Sequence, residues 1–228
     1  MFLNHDMPAT TFLEIVQKNE CGVHFSQFGE CCLLTNVLFG GVRDGTYVDI
    51  GCHDPFRFSN TYLLWKFLGW TGINIDADIR AIEAFRRHRP HDVNLHCGVG
   101  REAGELEFQV FADGAVNSFD PAFAAHMAQT GFGEPSRVRV AVRPINDILA
   151  EHLTPGRGVD YLNVDCEGMD EEIILSFDFD KHRPKVITIE LGHIDLTEIK
   201  TNNTVAFLYG KGYRLSSFLH ITGVFVAG

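Results

Sequence analysis

Two β-rich runs close to the end of the chain, Tyr213–Phe218 and Ile221–Val226, are separated by only two residues. Parallel strands need a crossover of a dozen or more residues, so these two can pair only as an antiparallel hairpin. Upstream, strand-like runs at Thr46–Ile50, Thr71–Ile75, Val93–Cys97, Tyr161–Val164 and Lys185–Glu190 alternate with helical spacing at Asn60–Leu68, Ile79–His88, Ile145–His152, Asp170–Phe177 and Thr204–Lys211. Such alternation builds a parallel sheet with helices on both faces, joined by right-handed crossovers. The expected fold is therefore α/β: a doubly wound, mostly parallel, seven-stranded Rossmann-like sheet with a C-terminal antiparallel hairpin.

The 228 residues suit one domain, with no repeat and no linker-like composition between segments. Residues 1–44 read as an N-terminal helical extension. Thr11-Phe-Leu-Glu14 has capping-box spacing, and Glu30–Phe39 reads as a helix stopped by Gly40-Gly41. Residues 105–142 read as an insertion, with alternating strands at Glu105–Phe111 and Arg137–Val142 around a Gly- and Ala-rich stretch. Its Phe108, Phe111, Phe119, Phe123 and Phe132 either line a cleft or pack the insertion against the sheet. Ser59 is a candidate cap for the Asn60–Leu68 helix and Asp78 for the next, which Pro90 ends.

Nineteen basic against thirty acidic residues give a formal charge of −11, which argues against nucleic acid as a partner. Met1–Val16 lacks the basic start and long apolar run of a signal peptide, and no apolar stretch reaches membrane-spanning length, so a cytoplasmic protein without a membrane partner is expected. The six cysteines form no C-x-x-C pair and no zinc set, and read as reduced thiols.

Ligands of open α/β sheets bind beyond the carboxyl ends of the strands, which directs attention to the segment that follows the first strand. There Gly51 permits close backbone approach, while Asp49 would repel a pyrophosphate and attract a cation. S-adenosylmethionine (SAM), with its sulfonium and ammonium groups, fits that charge better than NAD, and the loop has no G-x-G-x-x-G. Asp76, 27 residues further on, ends the second strand where a carboxylate can accept from both ribose hydroxyls of an adenosine. Cys52, His53, Ser59, Asn60 and Ala77 adjoin these acids, and Gly98 in Cys97-Gly-Val-Gly100 gives room beside an adenine. Taken alone, Asp49 and Asp76 also read as ordinary loop or cap acids.

Seven segments in order carry a resemblance: Phe25-Ser-Gln-Phe-Gly-Glu30, Tyr47-Val-Asp-Ile-Gly-Cys-His-Asp54, Phe58-Ser-Asn-Thr-Tyr62, Gly69-Trp-Thr-Gly-Ile73, Asp76, Val159-Asp-Tyr-Leu-Asn-Val-Asp-Cys-Glu-Gly168 and Ile187-Thr-Ile-Glu190. Together they resemble the FkbM family of SAM-dependent methyltransferases. The resemblance implies the class I methyltransferase fold, SAM as methyl donor, and transfer to a hydroxyl oxygen of a small acceptor, commonly a sugar or natural product. It implies cofactor contacts at Asp49, Gly51 and Asp76, with Ser59 and Asn60 close by. The chain departs from the family at Cys31, Pro55, Asp76 and Asn163, where aspartate, glycine, glutamate and lysine are common.

Asp165-Cys-Glu-Gly168 follows the fourth parallel strand, and strand alternation points Asp165 and Glu167 the same way, with Asp165 also beside the cofactor. Methylating an alcohol needs a group that takes the hydroxyl proton, for which Asp165, Glu167 and His193 are the candidates. Alternatively, Asp165, Glu167 and Glu190 bind a divalent metal that lowers the hydroxyl pKa, or Asp165 and Glu167 merely cap the next helix. Two rival functions stand beside methyl transfer: a SAM-fold binding module without catalysis, and an NAD-dependent oxidoreductase.

Overall fold

A computed structural model describes residues 24–228. The expected helix start at Thr11–Glu14 lies outside these residues. Ten strands are present among them: β1 (Thr46–Ile50), β2 (Thr71–Asp76), β3 (Val93–His96), β4 (Gly98–Gly100), β5 (Gly104–Val110), β6 (Ser136–Pro144), β7 (Tyr161–Val164), β8 (Val186–Glu190), β9 (Tyr213–Leu219) and β10 (Thr222–Ala227). The helices are α1 (Glu30–Leu33), α2 (Tyr62–Leu68), α3 (Ile79–His88), α4 (Pro121–Met127), α5 (Ile145–His152), α6 (Asp170–Ser176) and α7 (Asn203–Gly210).

Seven strands form the main sheet in the order β3-β2-β1-β7-β8-β10-β9. All run parallel except β10, which pairs antiparallel with both β8 and β9. The terminal hairpin thus forms as its short connection requires, with its second strand inserted into the sheet, where Val224 and Phe225 are fully buried.

Alternation sends Val48, Ile50, Leu162, Val164, Ile187 and Ile189 to one face, against Ile148 of α5, Ile173 of α6 and Val205 of α7. Tyr47, Tyr161 and Val224 face the other way, against Leu34, Phe39, Leu64 of α2 and Trp70. Each fully buried aliphatic side chain contributes about 1.5–3 kcal/mol, so this two-sided packing is what holds the sheet's carboxyl edge rigid.

One row of the sheet is polar instead. The registers align Asn94, Asn74, Asp49, Asn163 and Thr188 side by side across five parallel strands. Asn74 Nδ2 donates to Asn94 Oδ1 at 2.9 Å, Asn163 Nδ2 to Asp49 Oδ1 at 2.8 Å, and the Thr188 hydroxyl to Asn163 Oδ1. Buried polar groups are tolerated when paired in this way, and the row leads directly to the ligand end of the sheet.

Four local expectations change. Helix α2 starts at Tyr62 with Thr61 at its N-cap, so Ser59 is not its cap; the Ser59 hydroxyl instead accepts from Arg89 at 3.0 Å. The Glu30–Phe39 helix is a four-residue α-helix that widens into a π-helical turn at Leu34–Leu38. Gly98–Gly100 is a strand that opens a second sheet, β4-β6-β5, together with the expected antiparallel pair. Within the insertion, α4 is a helix that alternation did not suggest, although Asp120 caps it and Pro121 occupies its first turn, the standard signals of a helix start. Asp78 caps α3 as expected, accepting from Arg80 N at 2.8 Å.

Candidate cofactor cleft and carboxylate cluster

A cleft of about 910 Å³, including its open mouth, lies beyond the carboxyl ends of β1, β2 and β7. Asp49, Gly51, Cys52, His53, Ser59, Asn60, Asp76, Ala77, Gly98 and Asp165 all line it. The chain enters it through Gly51, whose φ is +76° and whose missing Cβ would lie 1.7 Å from the Asp165 carbonyl oxygen. Only glycine lets β1 leave the sheet this close to the end of β7. Cys52, Cys97 and Cys166 also line the cleft as free thiols, and burial pushes each thiol up.

Four carboxylates, Asp49, Asp76, Asp165 and Glu167, line the cleft, and no lysine or arginine does among the described residues. Asp49 is buried, and its two oxygens accept from neutral groups, Thr61 Oγ1 and Asn163 Nδ2, each at 2.8 Å. Burial raises its pKa. Asp76 accepts the backbone N–H of His53 at 2.8 Å and of Asp78 at 2.7 Å, and burial pushes it up to about 6. Each of its oxygens keeps a lone pair for a further donor. Asn60 is buried and donates to Asn163 Oδ1 at 3.0 Å, while its own Oδ1 has no partner.

These features fit SAM. Asp49 offers charge to a cation, the Asn60 oxygen offers an acceptor to an ammonium, and Asp76 offers lone pairs to a ribose. They fit a dinucleotide poorly: the first helix after β1 begins only at Tyr62 and presents no N-terminus to a pyrophosphate at Gly51.

The insertion walls the other side. Phe108 and Phe119, with rings 4.6 Å apart, both line the cleft and pack on each other. Phe111 is buried, Phe123 packs in a small cluster with it, and Phe132 is exposed. Gln27, inside the Phe25–Glu30 segment, and Asn117 line the cleft as well; neither is singled out by periodicity in the sequence.

Asp165, Glu167 and Glu190 bring carboxylate oxygens within 4.8 Å of one another. The strand ends at Val164, so alternation does not account for this meeting. A turn does: Glu167 adopts φ +47°, and Ser118 Oγ donates to its carbonyl at 2.6 Å. Neither acid caps α6, whose N-cap position is Met169 with no side-chain cap; Asp170, in its first turn, instead reaches back to accept the N–H groups of Cys166 and Gly168 in the preceding turn. Loss of water pushes Glu167 up to about 8, assisted by Asp165, and Glu190 up to about 7, assisted by Glu167. Asp165 is raised by burial and by Glu190. His193 does not line the cleft; it is exposed, with its ring edge-on to His220 at 5.1 Å.

The family model for the methyltransferase FkbM domain matches residues 49–215, most of the chain, from the end of β1 onward. The chain belongs to the FkbM methyltransferase family. No curated protein and no solved structure matches it. Within this FkbM domain, the match begins at Asp49 itself and runs through the carboxylate cluster into β9. Among the described residues no helix is long and apolar enough to cross a membrane.

Proposed function

We propose that this FkbM-family chain is a SAM-dependent O-methyltransferase whose acceptor is a small hydroxylated molecule, a sugar, glycan or natural product. The observation that carries the reading is the acidic lining of the cleft, formed by four carboxylates with no lysine or arginine among the described residues. A cationic cofactor is stabilised there and a pyrophosphate is repelled.

Bound SAM supplies an electrophilic methyl group. The chain's own residues then have two tasks. Asp49, Asp76 and Asn60 hold the cofactor, and alignment of donor with acceptor can contribute roughly 7–11 kcal/mol of the barrier. Glu167 and Glu190 would be the groups that accept the acceptor hydroxyl's proton when methyl transfer occurs. Their pKa values of about 8 and about 7 straddle neutral pH, where a general base is most effective. A second reading rests on the 4.8 Å grouping of Asp165, Glu167 and Glu190, whose oxygens suit magnesium, with the metal lowering the hydroxyl pKa.

Calorimetric titration with SAM and with NAD, using Asp76→Ala as control, tests the cofactor. Saturable SAM binding weakened by the substitution is expected, followed by transfer of labelled methyl to hydroxylated acceptors; preferential NAD binding would overturn the reading. Methyl transfer that survives exhaustive chelation would remove the metal alternative.

A further inference from the structure

We propose that Arg89, which does not reach the cleft, is a positioning residue that holds Asp49 and the cofactor loop in their binding arrangement through the hydroxyl of Thr61. The inference rests on SAM as the ligand of the cleft and deepens that reading.

Arg89 follows α3 and is 1% exposed, its guanidinium lying 4.8 Å from the Phe85 ring centre and 5.2 Å from that of Trp65. A buried guanidinium is costly unless its donors are used and its charge is balanced. Its hydrogen bonds go to neutral oxygens: Thr61 Oγ1 at 2.8 Å, Tyr47 OH at 3.2 Å, Pro55 O at 2.7 Å and Ser59 Oγ at 3.0 Å. Two of these three hydroxyl groups pass the interaction on to a carboxylate, Tyr47 to Asp92 and Thr61 to Asp49. Arginine has only donors and an ionised carboxylate only acceptors, so the direction of each relay is forced.

Two consequences follow for the cleft. Contacts to Pro55 and Ser59 pin the loop that presents Phe58, Ser59 and Asn60 to the ligand. One arginine also faces two carboxylates, Asp49 and Asp92, which leaves one negative charge unmatched. Of the two, only Asp49 lines the cleft, so a cation bound there completes the balance.

The test compares Thr61→Val, which removes the hydroxyl at nearly constant size, with Thr61→Ser, which keeps it, and with Arg89→Lys. Each is titrated calorimetrically with SAM and with uncharged 5′-methylthioadenosine. For Thr61→Val and Arg89→Lys, SAM affinity is expected to fall about tenfold or more (~1.4 kcal/mol) while 5′-methylthioadenosine affinity stays within about twofold; Thr61→Ser should resemble the wild type. Equal losses for both ligands, or no loss in Thr61→Val, would overturn the relay. Should the wild type bind neither ligand, the function proposed above fails, and a double-mutant cycle of Arg89→Lys with Asp49→Asn in thermal unfolding still decides the relay. Additive shifts would refute it and non-additive shifts would support it.

Discussion

Asn163 stands directly opposite Asp49 in the register of β7 on β1, and its Nδ2 donates to Asp49 Oδ1 at 2.8 Å. Its Oδ1 accepts from Asn60 and Thr188, so the amide cannot flip without losing bonds at both ends. This neutral side chain leaves the Asp49 charge available to a ligand. Asn163→Leu would strand one oxygen of a buried carboxylate and the donors of Asn60 and Thr188. A loss of about 2–3 kcal/mol in urea unfolding is expected, with weaker SAM binding; wild-type stability would show that the polar row is not coupled.

Gly51 permits a second, sharper expectation. Alanine there would place Cβ 1.7 Å from the Asp165 carbonyl at φ +76°, a contact with backbone that no rotamer relieves. Gly51→Ala should cost more than the ~1 kcal/mol typical of a left-handed site alone and should weaken SAM binding, because Asp49 and Asp165 must separate. Melting and titration of the same preparation check both.

The parallel alternation and the closing hairpin were legible because strand length and connection length leave few topologies, and Asp49, Gly51 and Asp76 were legible as strand-end residues. Three features were hidden for physical reasons. Arg89 sits three sequence elements from Asp49 and reads as the end of an ordinary basic helix, since only packing shows that it is buried. Asn163 looks like a polar interruption in a strand until the register sets it beside Asp49. Alternation alone puts Glu167 on a strand face, whereas a left-handed turn after Val164 brings it to Asp165 and Glu190.

The carboxylate cluster makes stability depend on pH. Glu167, near 4.5 in an ordinary setting, is pushed up to about 8 and Glu190 to about 7, so the native state retains protons that the unfolded chain has released. The cluster's contribution is therefore fully present below about pH 4.5, declines as pH rises toward 8, and is flat beyond. Glu167→Gln cannot ionise and relieves Glu190 and Asp165 of a like charge. In urea unfolding it should match the wild type near pH 4.5 and exceed it by about 2 kcal/mol at pH 8.5, while methyl transfer is lost. A constant offset at all pH values would mean that the three acids do not share protons. If magnesium binds, adding it should flatten the wild-type decline.

Ser118 links the insertion to the carboxylate cluster. Its side chain is fully buried, donates from Oγ to the Glu167 carbonyl at 2.6 Å, and accepts from Asp120 N at 2.8 Å. Glu167 holds φ +47°, a conformation that a non-glycine residue keeps only when its surroundings impose it. Ser118→Ala removes that restraint without opening a large cavity, and the Asp49, Asp76 and Asn60 contacts are untouched. SAM affinity should stay within about twofold of wild type. The rate at saturating SAM should fall about tenfold, equivalent to ~1.4 kcal/mol of barrier, because the proton acceptor no longer sits at a fixed distance from the acceptor hydroxyl. A variant with unchanged turnover would show that Glu167 is held by its own turn, and that the insertion shapes the cleft wall without governing the chemistry.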